Sequence, residues 1–426
     1  MTFVGRKRTL ETLRLLQDKR YTVKVVTGMR GCGKTALLRK HYETLMDGGA
    51  DIQDLHYLCF EETDGKKIKG AKALDEWIRD HVSKERTTHL FLDEIQHVEG
   101  WEPVVHRLAA KGCCDVYVAS SYLASIPEND DTVRWTEVPL FPFSFKEFVE
   151  YYGRDDVQTA FSDYLVFGGM PTMVMTDRFD VNSDYLKSRF YIVLMEDVLS
   201  HHFTGSIYRS MDLMRYIFEN LGVNISDIMA SRSLDISSNT VSRYLDELCA
   251  SGLLVHGRRY EMLGSLRLES IGKYYIADHA IRNVFLDSTD LIFTKGLLEN
   301  VVYIELLRRG YPVSVGDWKL MEADFTISTG SGKMYLEVAT NLSIPKVRQR
   351  CLIKLRVNVS PVPRMILALN TAGYSYLGKV EVKDLMEWLL EERCRRLLHT
   401  KRYKAGVARN GHETDLRTTV RRPGET

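Results

Sequence analysis

One short segment constrains the fold more than any other part of the chain: the glycine-rich turn GMRGCGKT at residues 28–35. It follows the apolar, β-branched segment YTVKVVT and precedes an amphipathic run that begins at Lys34. A strand, a turn of the form G-x4-G-K-[ST] and a helix, in this order, predict a phosphate-binding loop. The backbone N–H groups of such a loop and the positive end of the helix dipole face the phosphates of a bound nucleotide.

The residue types in this loop predict its contacts with ATP and Mg²⁺. Lys34 is expected to reach the β- and γ-phosphates, while the hydroxyl of Thr35 binds Mg²⁺. The predicted nucleotide-binding residues are Gly28, Met29, Arg30, Gly31, Cys32, Gly33, Lys34, Thr35 and Ala36.

A second motif, HLFLDE at residues 89–94, is an apolar strand that ends in two acids. In phosphoryl transfer, the first acid holds Mg²⁺ and the second polarises the attacking water. We therefore expect Asp93 to be a magnesium ligand and Glu94 to be the catalytic base. Together, these Walker A and Walker B motifs predict a Mg²⁺-dependent ATP hydrolase.

Two further positions have alternative interpretations. Ser120 and Ser121 end the apolar run VYVASSY, where either serine is expected to sense the γ-phosphate or simply to cap the strand. Arg134 is a candidate arginine finger, acting within the chain or across a subunit interface. An exposed arginine with no such role is the other interpretation.

The spacing of apolar segments predicts the domain layout. Strands near 54–62, 88–95 and 114–125 alternate with helices, which predicts a parallel α/β sheet with its ligand site at the carboxyl ends of the strands. Helical periodicity then continues to about residue 205 and predicts a helical lid. Residues 210–260 predict a winged helix whose third helix begins near Ser237 or Ser238 and ends before Gly252.

Composition adds little about function. The net charge is +1, but residues 393–426 contain ten Lys/Arg against three Asp/Glu, so this tail is +7 and the remainder about −6. The polar tail is expected to be disordered. The seven cysteines form no CxxC pair, which favours neither a zinc site nor a disulfide framework. The sequence contains no uncharged run of about 18 residues, so it predicts no membrane span. A soluble, cytoplasmic protein is the expectation.

The segment KLMEADFTISTGSGKMYLEVATN, residues 319–341, predicts two strands joined by a turn. Asp324 and Glu337 then stand where a metal-dependent nuclease binds Mg²⁺, with Glu305 on the preceding helix as a third acid. Ala339 occupies the position of the nuclease lysine. Either Lys354 substitutes for that lysine, or the two acids only cap strand ends in a fold retained for binding.

Several motifs together resemble those of prokaryotic AAA+ P-loop ATPases that carry a C-terminal domain of unknown function. They are, in order, FVGRKRTLETL, GMRGCGKTALLRK, LFLDEIQHVEGWE, VASS, VRWTEVPLFPFSFKEF, YLVFGGMP and TVSRYLDELCASGLL. The resemblance implies an ATPase core, a lid, a winged helix and a restriction-endonuclease-like core of the PD-(D/E)xK type. One departure is Val133-Arg134, where the family usually has Gly-Arg.

The resulting hypothesis is an α/β protein with five parts: an ATPase domain at 1–150, a lid at 151–205, a winged helix at 206–285, a nuclease-like domain at 286–392 and a tail at 393–426. Its predicted function is that of an ATP-driven switch with a degenerate nuclease-like domain. The alternatives are an ATP-regulated nuclease and an ATP-controlled DNA-binding regulator. A DNA or protein partner would bind the winged helix or the C-terminal domain, with no membrane association; an oligomer is compatible with the sequence.

Overall fold

The computed structural model describes residues 5–83, 86–122, 126–174, 188, 206–258, 271–286, 293–316, 323–329, 332–355 and 362–392. Its strands are β1 Thr22–Thr27, β2 Leu55–Cys59, β3 Thr88–Asp93, β4 Cys114–Ser120, β5 Arg134–Pro139, β6 Ile225–Ser226, β7 Leu254–Arg258, β8 Ile271–Ile276, β9 Val313–Val315, β10 Phe325–Thr329, β11 Gly332–Asn341, β12 Arg364–Asn370, β13 Tyr376–Leu377 and β14 Val380–Asp384.

The α-helices are α1 Lys7–Leu16, α2 Lys34–Asp47, α3 Ala71–His81, α4 Trp101–Ala110, α5 Phe145–Tyr152, α6 Val157–Phe167, α7 Pro171–Val174, α8 Ile207–Glu219, α9 Asp227–Leu234, α10 Ser238–Ala250, α11 His279–Leu286, α12 Lys295–Arg308, α13 Pro345–Lys354 and α14 Leu385–Leu390. In the part of the chain that the structure describes, no helix is both long and apolar enough to cross a bilayer.

The N-terminal sheet is parallel throughout, with strand order β2-β3-β4-β1-β5. Strands β1, β3 and β4 are buried along their whole length, as expected for a parallel sheet covered on both faces. Because the strands are parallel, the segments that follow β1, β3 and β4 meet at one edge of the sheet. The phosphate loop, Glu94 and Ser121 are therefore neighbours, as the alternating pattern predicts.

Helices α8, α9 and α10 with a small antiparallel sheet, order β6-β8-β7, make up the segment predicted as a winged helix. Ser237 caps α10 by accepting a hydrogen bond from the Thr240 N–H at 3.1 Å. Of the predicted lid, α6 and α7 are described, whereas 175–205 lies outside the described residues apart from 188.

The C-terminal sheet has six strands in the order β13-β14-β12-β11-β10-β9. Its centre is parallel, because β12 pairs in parallel with both β11 and β14, and the predicted hairpin of β10 and β11 is antiparallel. Helix α12 packs on this sheet and is buried along nearly its whole length. The predicted tail at 393–426 lies outside the described residues.

Polar contacts connect the successive parts of the chain. Asp278, just before α11, accepts a hydrogen bond from the Gly169 N–H at 2.8 Å. Arg308 at the end of α12 donates to the Pro142 carbonyl at 3.0 Å, and Lys146 pairs with Glu392 at 2.8 Å. The middle and C-terminal segments therefore pack directly on the segment that follows β5.

Candidate nucleotide-binding site

The phosphate loop has the backbone geometry that its glycines predict. Gly28, Gly31 and Gly33 all have positive φ angles, of 154°, 77° and 103°, and Gly33 immediately precedes α2. A Cβ atom at Gly28 would overlap the carbonyl of Leu140. Since side chains are excluded here, the backbone is free to approach a phosphate closely at the N-terminus of α2.

Lys34 is buried in this loop, with 3% of its surface exposed. Its Nζ donates to Ser121 Oγ at 2.6 Å and to the Gly28 carbonyl at 3.1 Å, and lies 3.3 Å from Glu94 Oε1. Burial alone would lower the pKa of Lys34, but the Glu94 carboxylate holds it above its ordinary value. The lysine is therefore charged and is neutralised within the protein.

Glu94 lies directly after β3 in a left-handed backbone conformation, with φ of 54°. Its Oε2 accepts hydrogen bonds from Ser121 Oγ at 2.8 Å and Gln96 Nε2 at 2.6 Å. Burial alone would raise the pKa of Glu94, but Lys34 and these two donors keep it below its ordinary value. A left-handed conformation is costly for a residue other than glycine, and such strain is concentrated at functional sites.

Asp93 is fully buried, and its two carboxylate oxygens differ in their surroundings. Oδ2 accepts a hydrogen bond from the Tyr57 hydroxyl at 2.7 Å, whereas Oδ1 has no hydrogen-bond partner within the described ranges. Burial raises the pKa of Asp93, with the Tyr57 and Thr35 hydroxyls acting in the opposite direction. An orphaned carboxylate oxygen next to Thr35 fits a hard cation such as Mg²⁺, because Mg²⁺ prefers oxygen ligands.

The two serines make different contacts, and the predicted arginine lies far from the phosphate loop. Ser121 bridges Lys34 and Glu94, whereas Ser120 Oγ donates to the Tyr122 carbonyl. Arg134 begins β5 opposite Thr22, at the amino end of β1, so it lies about 16 Å along the strand from the phosphate loop. The prediction that Arg134 acts within its own chain is therefore wrong, because the loop emerges from the opposite edge. A role across a subunit interface stays a prediction.

Arg6 contacts the phosphate loop but carries no predicted role in the sequence. Its Nη2 donates to the Cys32 carbonyl at 2.7 Å, and its Nη1 donates to the Phe141 carbonyl at 2.9 Å and pairs with Glu147 at 3.2 Å. The guanidinium also lies 4.3 Å from the centre of the Phe143 ring. Its only sequence signal is the segment VGRKRTLETL before the first strand.

Two glycine-containing segments pack directly against the phosphate loop. Gly252, just after α10, has a φ of 73°, and a Cβ there would lie 2.9 Å from the backbone N of Met29. A Cβ at Gly31 would lie 3.0 Å from the Cε of Met170. The loop is thus in contact with both the segment before α7 and the end of α10.

The C-terminal domain contains a second charged cluster, at Asp324 and Glu337. Both carboxylates are buried, with 1% and 0% of their surface exposed. Lys295 Nζ lies 2.9 Å from Asp324 Oδ2 and 2.7 Å from Glu337 Oε1. Lys354 Nζ lies 3.1 Å from an oxygen of each. Lys354 therefore reaches both acids, whereas its role as a substitute for the nuclease lysine stays a prediction. Lys295, which the sequence did not suggest, joins it.

Every oxygen of these two carboxylates already has a hydrogen-bond donor. Asp324 Oδ2 also accepts from the Val338 N–H at 2.9 Å, and Glu337 Oε2 accepts from the Asp324 N–H at 3.1 Å. Despite burial, Lys295 and Lys354 hold the pKa of Asp324 at about 2, while burial and Asp324 raise that of Glu337 to about 7. A divalent cation at the Oδ1 and Oε1 atoms would have to displace lysine ammonium groups.

Glu305 does not belong to this cluster. It lies ten residues after Lys295 on α12, about 15 Å along the axis, and pairs with Arg309 at 2.6 Å. The prediction that Glu305 is a third acid is therefore wrong. The buried acid nearer the cluster is Glu299, one turn after Lys295, which accepts from Lys273 Nζ at 2.6 Å and from the Tyr275 hydroxyl at 2.9 Å. The i, i+4 spacing from Lys295 was its only signal.

Two protein-family models match the chain. Residues 20–149 match the model described as an AAA domain, and residues 158–291 match a domain of unknown function, DUF8612. The second match runs across the predicted boundary between lid and winged helix. Residues 20–149, which contain the parallel sheet and the phosphate loop, are thus similar to the AAA domain of P-loop ATPases.

Two uncharacterized proteins are similar to this chain over most of its length. An uncharacterized protein of Haemophilus influenzae is 27% identical over 404 residues, 91% of this chain and 99% of that protein. An uncharacterized protein of Methanocaldococcus jannaschii is 25% identical over 361 residues, 78% of this chain and 77% of that protein.

Among solved structures, similarity extends to Cdc6p of Pyrobaculum aerophilum and to the ORC2 protein of Aeropyrum pernix. The first is 13% identical with a TM-score of 0.28, covering 66% of this chain and 93% of that one. The second is 12% identical with a TM-score of 0.35, covering 67% and 95%. TM-scores this low support no conclusion about function.

Proposed function

We propose that this protein binds ATP with Mg²⁺, hydrolyses it, and works as a nucleotide-driven switch. The observation that carries the proposal is the contact set of Lys34, Ser121 and Glu94 beside the orphaned oxygen of Asp93. A phosphate-binding cation, a carboxylate base and a metal ligand stand within one short stretch of the sheet edge. Phosphoryl transfer requires these three elements.

ATP binding would rearrange this contact set. The β- and γ-phosphates compete with Glu94 for Lys34. The ammonium group then pairs with the phosphates, and Glu94 becomes free to orient a water. Ser121 is positioned to follow either group, since its hydroxyl now bridges them. Mg²⁺, held by Thr35 and Asp93, would supply charge neutralisation at the phosphate oxygens.

The proposed switch rests on the packing of other segments against the phosphate loop. We take 151–205 as the lid and 206–285 as a winged helix. Among the described residues, α6 and α7 support the first assignment, and α8 to α10 with the sheet β6-β8-β7 support the second. Because Met29 touches Gly252 and Gly31 touches Met170, a shift of the loop on nucleotide binding would move both segments. Closely packed interfaces change between discrete arrangements and do not deform continuously.

For the C-terminal domain, we propose a restriction-endonuclease-like fold with a degenerate site. Asp324 and Glu337 lie at adjacent strands of a mixed sheet, which supports the fold. The two lysines that saturate their oxygens support degeneracy. The contact of Lys354 with both acids favours the nuclease alternative, in which a metal ion would displace Lys295 from the two carboxylates.

Glu94→Gln tests the enzymatic proposal. Glutamine keeps the size of the side chain but cannot accept a proton, so ATP turnover should fall roughly 100- to 10,000-fold. ATP binding should persist, because removing the carboxylate frees Lys34 for the phosphates. Phosphate release and fluorescent-nucleotide titration measure the two effects. Glu62→Gln, an exposed acid paired with Arg39, is the matched control. Full turnover by Glu94→Gln would contradict the assignment of the base.

Gly252→Ala tests the coupling between the loop and the middle segment. The added methyl would press on the backbone of Met29, so we expect weaker ATP binding, by roughly 10-fold for a cost of about 1.4 kcal/mol. Gly153→Ala is the control, because Gly153 has a similar φ of 60° with open space around its Cβ position. Wild-type ATP affinity in Gly252→Ala, or an equal loss of affinity in both variants, would contradict the proposed coupling.

A further inference from the structure

Arg30, the third residue of the phosphate loop, takes part in a contact set of its own. Its Nη2 lies 3.0 Å from Glu61 Oε1, and His97 Nε2 lies 3.2 Å from the same oxygen. Glu61 follows β2, and His97 comes three residues after Glu94. The guanidinium therefore reaches from the loop across the carboxyl edge of the sheet, past β4, towards the segments that follow β3 and β2.

This contact set lies within electrostatic range of the reacting groups. The His97 hydrogen bond, with Arg30 and Lys34, outweighs burial and holds the pKa of Glu61 below its ordinary value. His97, which shares the Glu61 oxygen with Arg30, lies in the segment after β3 that begins with Glu94. Arg30 thus lies on the same side of the site as Glu94, which would hold the attacking water. The γ-phosphate must face that water for in-line attack.

Besides a lysine and Mg²⁺, phosphoryl transfer commonly uses an arginine. Negative charge is spread over the γ-phosphate oxygens in the transition state, and a guanidinium fits these oxygens through paired N–H donors. Lys34 supplies one charge, and Arg134 is at the opposite edge of the sheet. Arg30 and Glu61 keep 34% and 33% of their side-chain surface exposed. Such partly exposed pairs contribute little to stability, so exchanging Glu61 for a phosphate is inexpensive.

We propose that Arg30 is a catalytic residue of the ATPase reaction, supplied by the phosphate loop itself and held by Glu61 until the γ-phosphate replaces that carboxylate. The inference rests on the proposed function above, since it assigns a new residue to the same reaction. It gives the chain an arginine for catalysis that needs no neighbouring subunit.

The reaction balances with these groups. The oxygen of water bonds to the γ-phosphorus while the bond from that phosphorus to the bridging oxygen breaks. The electron pair of that bond leaves with ADP, and the water proton passes to the Glu94 carboxylate and then to solvent. Arg30 donates N–H groups to the γ-phosphate oxygens throughout and transfers no proton. The products are ADP and inorganic phosphate.

Arg30→Ala separates this role from nucleotide binding. With Mg²⁺ present, kcat should fall about 1000-fold, as on removal of a catalytic arginine, while the Kd for ADP stays within about threefold. The full-length wild type should bind ADP more tightly when aluminium fluoride is added, since that complex mimics the transferring phosphoryl group. Arg30→Ala should lose this tightening, and Arg30→Lys should restore part of it.

Two further variants complete the test. Arg79→Ala removes an exposed arginine of α3 that pairs with Asp75, and should leave kcat and the fluoride-dependent tightening unchanged. Glu61→Gln should retain the tightening, because the carboxylate only holds Arg30 before ATP binds. Equal tightening in wild type and Arg30→Ala, or its loss in Glu61→Gln, would overturn the inference alone. No ADP binding by the wild type would overturn the proposed function and this inference together.

Discussion

Replacing Lys34 with alanine should reduce ATP affinity by at least about 100-fold, which corresponds to two lost charge-assisted hydrogen bonds of roughly 1.5–3 kcal/mol each. The physical reason is the position of its ammonium group, at the N-terminus of α2 inside a loop closed to side chains. Ser121, whose hydroxyl contacts the ammonium group, carries no charge and cannot replace it. Isothermal titration with ATP and Mg²⁺ measures the loss directly.

Two companion variants keep this test free of a folding artefact. Lys34→Ala leaves the buried Glu94 without its ion-pair partner, which is destabilising by itself. The double variant Lys34→Met, Glu94→Gln removes both charges and should melt close to the wild type, yet still fail to bind ATP. Lys40→Ala, an exposed lysine of the same helix paired with Glu43, should bind normally. Tight ATP binding by the folded double variant would contradict the assignment of the nucleotide site to this loop.

Replacing both Lys295 and Lys354 with methionine should destabilise the C-terminal domain by roughly 3–5 kcal/mol, the usual consequence of leaving a buried charge unpaired. Asp324 and Glu337 would keep their backbone donors but lose every cation contact described for them. Two like charges would then be buried side by side. Urea unfolding of the full chain, followed by far-ultraviolet circular dichroism, measures the change.

The control for this prediction lies on the same helix. Lys346→Met removes an exposed lysine from the first turn of α13 and should shift the unfolding midpoint little. Adding Asp324→Asn and Glu337→Gln to the double methionine variant should recover part of the stability, because no charge remains buried. Wild-type stability of the double methionine variant would contradict the structural role. Cleavage of plasmid DNA with Mn²⁺ that is lost in Asp324→Ala would instead favour the nuclease alternative.

The geometry of the candidate nucleotide site was largely predictable because it depends on local sequence. The residues from Gly28 to Thr35 are consecutive in the chain, and their spacing fixes the geometry of the loop. The parallel sheet then suffices to bring Asp93 and Glu94, at the end of an apolar strand, close to that loop. The choice between Ser120 and Ser121 was not predictable, since successive residues at a strand end point to opposite faces. One faces Lys34 and the other only caps the strand.

The errors have a common physical origin. Arg134 and Glu305 were assigned by their residue type and by their distance in sequence from a motif. The pairing of β5 with β1 places Arg134 at the amino edge, and the rise of α12 carries Glu305 away from Asp324. Arg6 and Lys295 were missed because each reaches its partner from a segment to which the sequence assigns no phosphate- or metal-binding role.

By itself, the sequence determined the geometry of the phosphate loop, because backbone conformation around glycines and the order of strand, loop and helix are properties of neighbouring residues. Only the tertiary structure decided which charges meet: Lys34 with Glu94, Arg30 with Glu61, and two lysines with Asp324 and Glu337. Ion pairs form between side chains brought together by sheet order and helix packing. Distances of this kind are set by the whole fold and not by any one segment.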